Sequence, residues 1–203
     1  MPKTIIRAVV TVLFTWVALP CFAVETTPQE GVQTFIQSIR SMQFPAQDPD
    51  GQKALVEKAN TYLDLEALSR KALPQHWDNV SPEDRQAFQR LLGALIEEVA
   101  YPQSTEFMGQ YEITYPAITP AGNGFEVQSI VKQEAEGLEA EVLYHVYPLD
   151  GSWKIDDVIL DGVSITEDLQ YQFDKIIEES QFAGLLETMQ KRLTEARAEN
   201  QAS

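Results

Sequence analysis

Nucleophilic and acid–base chemistry in this chain would have to come from few places, because it holds one cysteine, Cys21, and two histidines, His76 and His145. Cys21 lies just beyond an N-terminal apolar run, and neither histidine sits in a recognisable catalytic spacing. There is no Gly-Xaa-Ser-Xaa-Gly elbow, no His-Glu-Xaa-Xaa-His pair, no phosphate loop and no dinucleotide fingerprint. The adjacent Asp156 and Asp157 resemble an acid/base dyad, but neighbours on a strand point to opposite faces and cannot share a substrate atom. On the parity of Trp153 and Ile155, Asp157 is expected to face inward in a structural role and Asp156 to face solvent. The sequence therefore offers no catalytic residue, no metal-ligand cluster and no cofactor motif, and an enzyme is not expected.

The first residues read as a leader. Lys3 and Arg7 precede an apolar run over 8–19 that stops at Pro20, too short to span a bilayer, and Cys21-Phe22-Ala23 supplies a cleavage site after Ala23. Export is the expected consequence. Cleavage removes the cysteine, so disulfides have no part in the mature fold, and it takes two basic residues from a chain whose formal charge is already −16. Such a field disfavours nucleic acid and anionic membrane surfaces as partners.

Any site must be positioned by the elements that follow. Thr27-Pro28-Gln29-Glu30 has the cap, first-position proline and returning glutamate of a helix start, and Val32, Phe35, Ile36, Ile39 and Met42 then form one stripe. Helices are predicted over 50–61, over 65–73 behind an Asp64 cap, and from Ser81-Pro82 to Tyr101-Pro102. The last carries Phe88, Leu91, Leu92, Leu95, Ile96 and Val99 at helical spacing. Short β patterns follow over 111–115, 125–132, 139–147 and 153–160, with turns short enough for antiparallel pairing. The period then returns to helical at Ile165, Leu169, Phe173, Ile176 and Ile177, across the tight Asp161-Gly162-Val163-Ser164. Helices, then a four-stranded antiparallel meander, then helices make an α+β fold. The predicted organisation is a leader at 1–23, a mainly helical subdomain at 24–110, a sheet with its C-terminal helices at 111–193, and a flexible tail at 194–203.

At this point several stretches are similar to one family. Gly151-Ser152-Trp153-Lys154-Ile155, then Asp157-Val158, Gly162-Val163-Ser164-Ile165 and Gln172-Phe173, resemble the MlaC (toluene-tolerance) family of periplasmic phospholipid-binding proteins. Tyr62-Leu63-Asp64-Leu65-Glu66-Ala67-Leu68-Ser69, His76-Trp77, Ser81-Pro82-Glu83 and Phe88 resemble its helical half, and Gly184-Leu185-Leu186 its closing helix. The resemblance implies a sheet of the nuclear-transport-factor-2 type, a helical subdomain and a deep apolar cavity between them. It implies phospholipid as cargo, no cofactor, and partners in an outer-membrane lipoprotein complex and an inner-membrane ABC transporter; a monomer is expected. Two departures stand out: Asp156 where members often have tyrosine, and Leu169-Gln170 where many have Tyr-Arg, so a headgroup contact through that arginine is missing here.

Acyl chains impose a severe demand, since each methylene left in water costs about 0.8 kcal/mol. Candidate lining residues are Val142, Tyr144 and Val146 on the apolar sheet face, Ile155, Val158, Val163 and Ile165 around the handover, and Phe88, Leu92, Leu95, Leu169 and Phe173 on the covering helices. Val163, placed where the sheet stops and the cover begins, is the foremost of them. The competing functions are a small-molecule isomerase or dehydratase on the same kind of sheet, which needs titratable groups converging in the cavity, and a periplasmic protein-binding module, which needs an open groove.

Overall fold

A computed structural model describes residues 27–109, 111–133 and 137–202. The leader expected at 1–23 lies outside the described residues. Helix α1 (Pro28–Arg40) opens on the predicted capping box: the Glu30 amide donates to Thr27 Oγ1 at 3.2 Å, and the Thr27 amide donates back to the Glu30 carboxylate at 2.7 Å. These bonds to the ionised form hold the Glu30 carboxyl below its ordinary range. Helices α2 (Pro49–Asn60) and α3 (Leu65–Ala72) follow, the latter capped by Asp64, which accepts from the Ala67 amide at 2.8 Å. Helix α4 (Pro82–Leu95), capped by Ser81, does not end at Tyr101-Pro102 as its sequence suggests. A π turn, Ile96–Ala100, carries the chain into α5 (Tyr101–Met108), so that Pro102 falls in the first turn of a helix, where its missing N–H is tolerated.

The four predicted strands are present as β1 (Glu112–Thr114), β3 (Gly124–Gln133), β4 (Leu138–Leu149) and β5 (Ser152–Leu160). Two short strands, β2 (Ile118–Ala121) and β6 (Val163–Ser164), extend the sheet, in which β1 and β2 both pair with β3 and the order continues β4, β5, β6, all antiparallel. The 62–64 segment lies parallel along the first half of β5, the Asp64 amide bonding the Ile155 carbonyl at 2.9 Å. At the handover Asp161 and Gly162 both take positive φ, 47° and 83°, a turn that glycine adopts without strain. Helix α6 (Ile165–Ala202) closes the described residues, interrupted by one non-helical residue, Gln181.

Two corrections concern organisation. Residues 194–202, expected as a flexible tail, continue α6, with Leu193 and Ala196 buried. The expected division near residue 110 does not follow the packing. One apolar cluster joins α1, α2 and α5 to the sheet through Val32, Phe35, Ile36, Ile39, Ala59, Tyr101, Met108, Val127, Val142, Tyr144, Val146 and Ile155. The other joins α3 and α4 to α6 through Leu73, Trp77, Phe88, Leu92, Phe173, Leu185 and Met189. The C-terminal helix thus shares a core with the helical half, and α1 shares one with the sheet.

Candidate functional site

Where these two cores meet, a cavity of about 170 Å³ remains. Its walls are Phe35 and Ile39 from α1, Leu63 and Leu68 from the 62–64 segment and α3, and Leu92 from α4. Ile96, Ala100, Tyr101, Ser104 and Met108 follow from the π turn and α5; Tyr144, Ile155 and Val158 from the sheet; and Ile165, Thr166 and Leu169 from the start of α6. Ile165, 46% exposed, marks the side open to solvent. Among the described residues, the titratable groups in this lining are the phenols of Tyr101 and Tyr144. Burial pushes both well above their ordinary value, aided at Tyr101 by the nearby Glu97 carboxylate and at Tyr144 by Tyr115. Both are neutral at any physiological pH, and the Tyr101 hydroxyl is committed to Asn60 Oδ1 at 2.7 Å.

Six of the twelve predicted lining residues meet at this cavity: Leu92, Tyr144, Ile155, Val158, Ile165 and Leu169. The other six lie elsewhere. Val142 and Val146 point to the same sheet face but are packed into the sheet-side core. Phe88 and Phe173 stack edge to face at 5.5 Å between their ring centres inside the helical core, and Leu95 packs against that core. Val163, the foremost candidate, stands 60% exposed on edge strand β6. Parity does put it on the cavity face, since Val163 pairs with Leu160 and Leu160 with Val142, while Ser164 falls on the Asp157 face; but this end of the sheet is its outer edge, where Leu160 is exposed as well.

Strand parity also reverses the expectation for the two aspartates. A bulge opposite His145/Val146 lets Ile155 pair with Val146 and Asp157 with His145, leaving Asp156 as the extra residue. Asp156, expected in solvent, is 6% exposed; it pairs with His145 Nδ1 and accepts from Lys71 Nζ at 2.9 Å. Asp157, expected to face inward, lies on the His145 face and ties down the handover. It accepts from Ser164 Oγ at 2.7 Å and from the Thr166 amide at 3.3 Å, while Ser164 Oγ accepts from the Glu167 amide at the helix start. His76, the other histidine, meets Asp174 Oδ1 at 2.9 Å, in the helical half. None of these ionisable groups lines the cavity.

Sequence reasoning missed the α1 residues Phe35 and Ile39, whose stripe was recognised but assigned to ordinary core. It also missed Ile96, Ala100, Tyr101, Ser104 and Met108, because the π turn resets the helical period at the point where the helix was expected to stop. A wider cleft of about 480 Å³ lies between α1 and β1, but Glu30, Gln33, Arg40, Lys58 and Tyr115 make its walls too polar to exclude water. Among the described residues no group of His, Cys, Asp and Glu is placed to hold a metal, and no helix is long and apolar enough to cross a membrane.

The family model described as MlaC protein matches residues 29–191. The chain belongs to the MlaC family. A relative from Haemophilus influenzae, the intermembrane phospholipid transport system binding protein MlaC, is 26% identical over 177 residues, covering 82% of each chain. Among solved structures, a phospholipid-binding protein from Ralstonia solanacearum, determined in complex with a phospholipid, superposes with a TM-score of 0.68 at 20% identity, over 86% of this chain and 99% of that one. That likeness establishes the fold, in which an open antiparallel sheet is covered by helices, as the MlaC resemblance led us to expect. The seam cavity of this MlaC-family chain is built from 63–68, 92–108, 144–158 and 165–169 together with α1, all inside the matched residues.

Proposed function

We propose that this protein is a periplasmic phospholipid carrier. It shields acyl chains in the seam cavity and moves lipid between the outer and inner membranes as the soluble component of an ABC-type transport system. The observation that carries this reading is the chemistry of the lining: an apolar surface whose ionisable groups, among the described residues, are two neutral phenols. An isomerase or dehydratase needs a general acid or base at its substrate, and here the carboxylates and imidazoles gather away from the cavity. The names of the Haemophilus and Ralstonia relatives support the same direction.

The energetics are consistent with a carrier that opens. Two acyl chains with roughly thirty methylenes represent on the order of 20 kcal/mol of exposure to water, so partial cover is insufficient. Pockets for drug-sized ligands run to about 300–1,000 Å³, and 170 Å³ is smaller than that. Loading therefore widens the seam. Because the buried wall residues divide between two packed cores, with Ile96 packing against both, the two halves separate with little loss to either. Among the described residues the lining has no arginine or lysine, so the headgroup stays hydrated at the mouth beside the exposed Ile165, and discrimination among headgroups is weak.

The test is direct. The exported protein, purified without detergent and extracted with organic solvent, is expected to release phospholipid detectable by mass spectrometry. Protein that is empty, and that takes up no phospholipid from vesicles, would overturn the carrier reading.

A further inference from the structure

The π turn is a cavity wall made of weak material. Its bonds reach five residues back, the Tyr101 amide donating to the Ile96 carbonyl, and Pro102 has no N–H to offer the Glu98 carbonyl four residues behind it. Such a turn holds its shape only if other groups satisfy it. A side chain from a distant part of the sequence reaches its backbone, and others brace its side chains. On one side Asn60 of α2 donates to the Glu97 carboxylate at 2.7 Å and accepts from the Tyr101 hydroxyl. On the other, Asn200 Nδ2 donates to the Glu98 carbonyl at 3.0 Å and to its carboxylate at 3.1 Å, while Arg197 Nε donates to the same carboxylate at 3.2 Å. Ala196, 1% exposed, seats this last stretch of α6 against the molecule.

We propose that Asn200 and Arg197 are positioning residues for the cavity: the C-terminal end of α6 is a clamp that supplies the donor Pro102 lacks and so fixes the π-turn wall formed by Ile96, Ala100 and Tyr101. This rests on the carrier reading for its functional consequence, which is the residence time of bound lipid. Their hydrogen bonds go to Glu98, which stands beside the lining residues of the turn and not among them, so their effect is on the wall's mobility. Asn200→Ala removes the donor, Asn200→Asp adds a carboxylate beside Glu98, and Asn200→Gln keeps the amide.

The experiment measures two things on the same full-length variants: amide hydrogen exchange across residues 96–101, and release of a phosphatidylethanolamine with one fluorescently labelled acyl chain to phosphatidylcholine vesicles. For Asn200→Ala both rates are expected to rise about tenfold, the factor for losing one hydrogen bond to a partly buried carbonyl. Asn200→Asp should exceed this, and Asn200→Gln should restore most of the wild-type behaviour. Leu193→Ala, which loosens α6 without touching Glu98, serves as the control and is expected to lower thermal stability with little change in the local exchange pattern. Exchange in the turn that is unchanged, or raised equally in β3 and β4, overturns the clamp. Faster exchange with unaltered lipid release overturns its link to the cavity. A wild-type protein that takes up no phospholipid overturns the carrier reading instead, and the exchange result still decides whether the clamp exists.

Discussion

Strands β4 and β5 show two chemistries across the thickness of one sheet. On the face toward α1 and the cavity stand Val142, Tyr144, Val146, Ile155 and Val158; on the other, His145, Tyr147 and Asp157, with the bulged Asp156 joining them through His145. The polar side is bound into a network: Tyr147 donates to Asp64, the cap of α3, and Lys71 of the same helix reaches Asp156. Burial, with the Asp64 hydrogen bond, pushes the Tyr147 phenol above its ordinary value. Elsewhere a histidine, lysine and buried carboxylates gathered so closely would suggest catalysis. Here they fasten the helical half to the edge of the sheet, and the cavity is left without charge. The fold spends its ionic groups on holding the seam's outer side and its apolar groups on lining the inner side.

The contrast yields tests in descending size. Leu169→Glu places a charge in the cavity wall and is expected to abolish phospholipid retention while the protein stays folded, as read by mass spectrometry of extracts and circular dichroism. Val163→Glu, on the exposed edge, should bind as wild type and shift stability by no more than about 0.5 kcal/mol. Equal lipid loss in both would erase the distinction between wall and edge. Next, Asp156→Ala strands Lys71 and His145, and since Lys71 is partly solvated the expected cost is about 2–4 kcal/mol in denaturant unfolding. Lipid binding measured well below the new midpoint should be unaltered; a selective loss of binding would assign the polar face a role in cargo.

The smallest effect is alkaline. The folded state keeps the Tyr101 and Tyr144 protons that the unfolded chain surrenders above about pH 10. The folded chain then binds more protons, so stability is full below pH 10 and falls as pH rises above it, by up to about 1.4 kcal/mol per pH unit for each tyrosine. Tyr144→Phe should flatten that slope in urea titrations between pH 10 and 12, and an unchanged slope would show that the phenol is not desolvated.

Much of the local structure was legible. The capping box at Thr27, the caps at Asp64 and Ser81, four strands and the handover at Gly162 all follow from residue chemistry that acts within a few positions. The candidate site was half legible. Leu92, Tyr144, Ile155, Val158, Ile165 and Leu169 were identified because periodicity marks an apolar face, yet Phe88 and Phe173 carry the same mark and lie in a packed core. Periodicity reports that a side chain leaves water; it does not report whether another side chain or a cavity receives it.

Three features were beyond sequence. The bulge at His145/Val146 exchanged the expected surroundings of Asp156 and Asp157, because one extra residue reverses strand parity and the choice is made by the paired strand. The π turn carried a helix past Pro102, at a place where Asn200, about a hundred residues away, donates to the Glu98 carbonyl that Pro102 cannot serve. The partition into two cores set α1 with the sheet and α6 with the helical half. By itself the sequence determined an α+β chain with amphipathic helices, a half-buried sheet and the family to which it belongs. Only the tertiary structure decided which apolar residues are left facing a gap, because a gap is defined by the separation of two surfaces and neither surface encodes it alone.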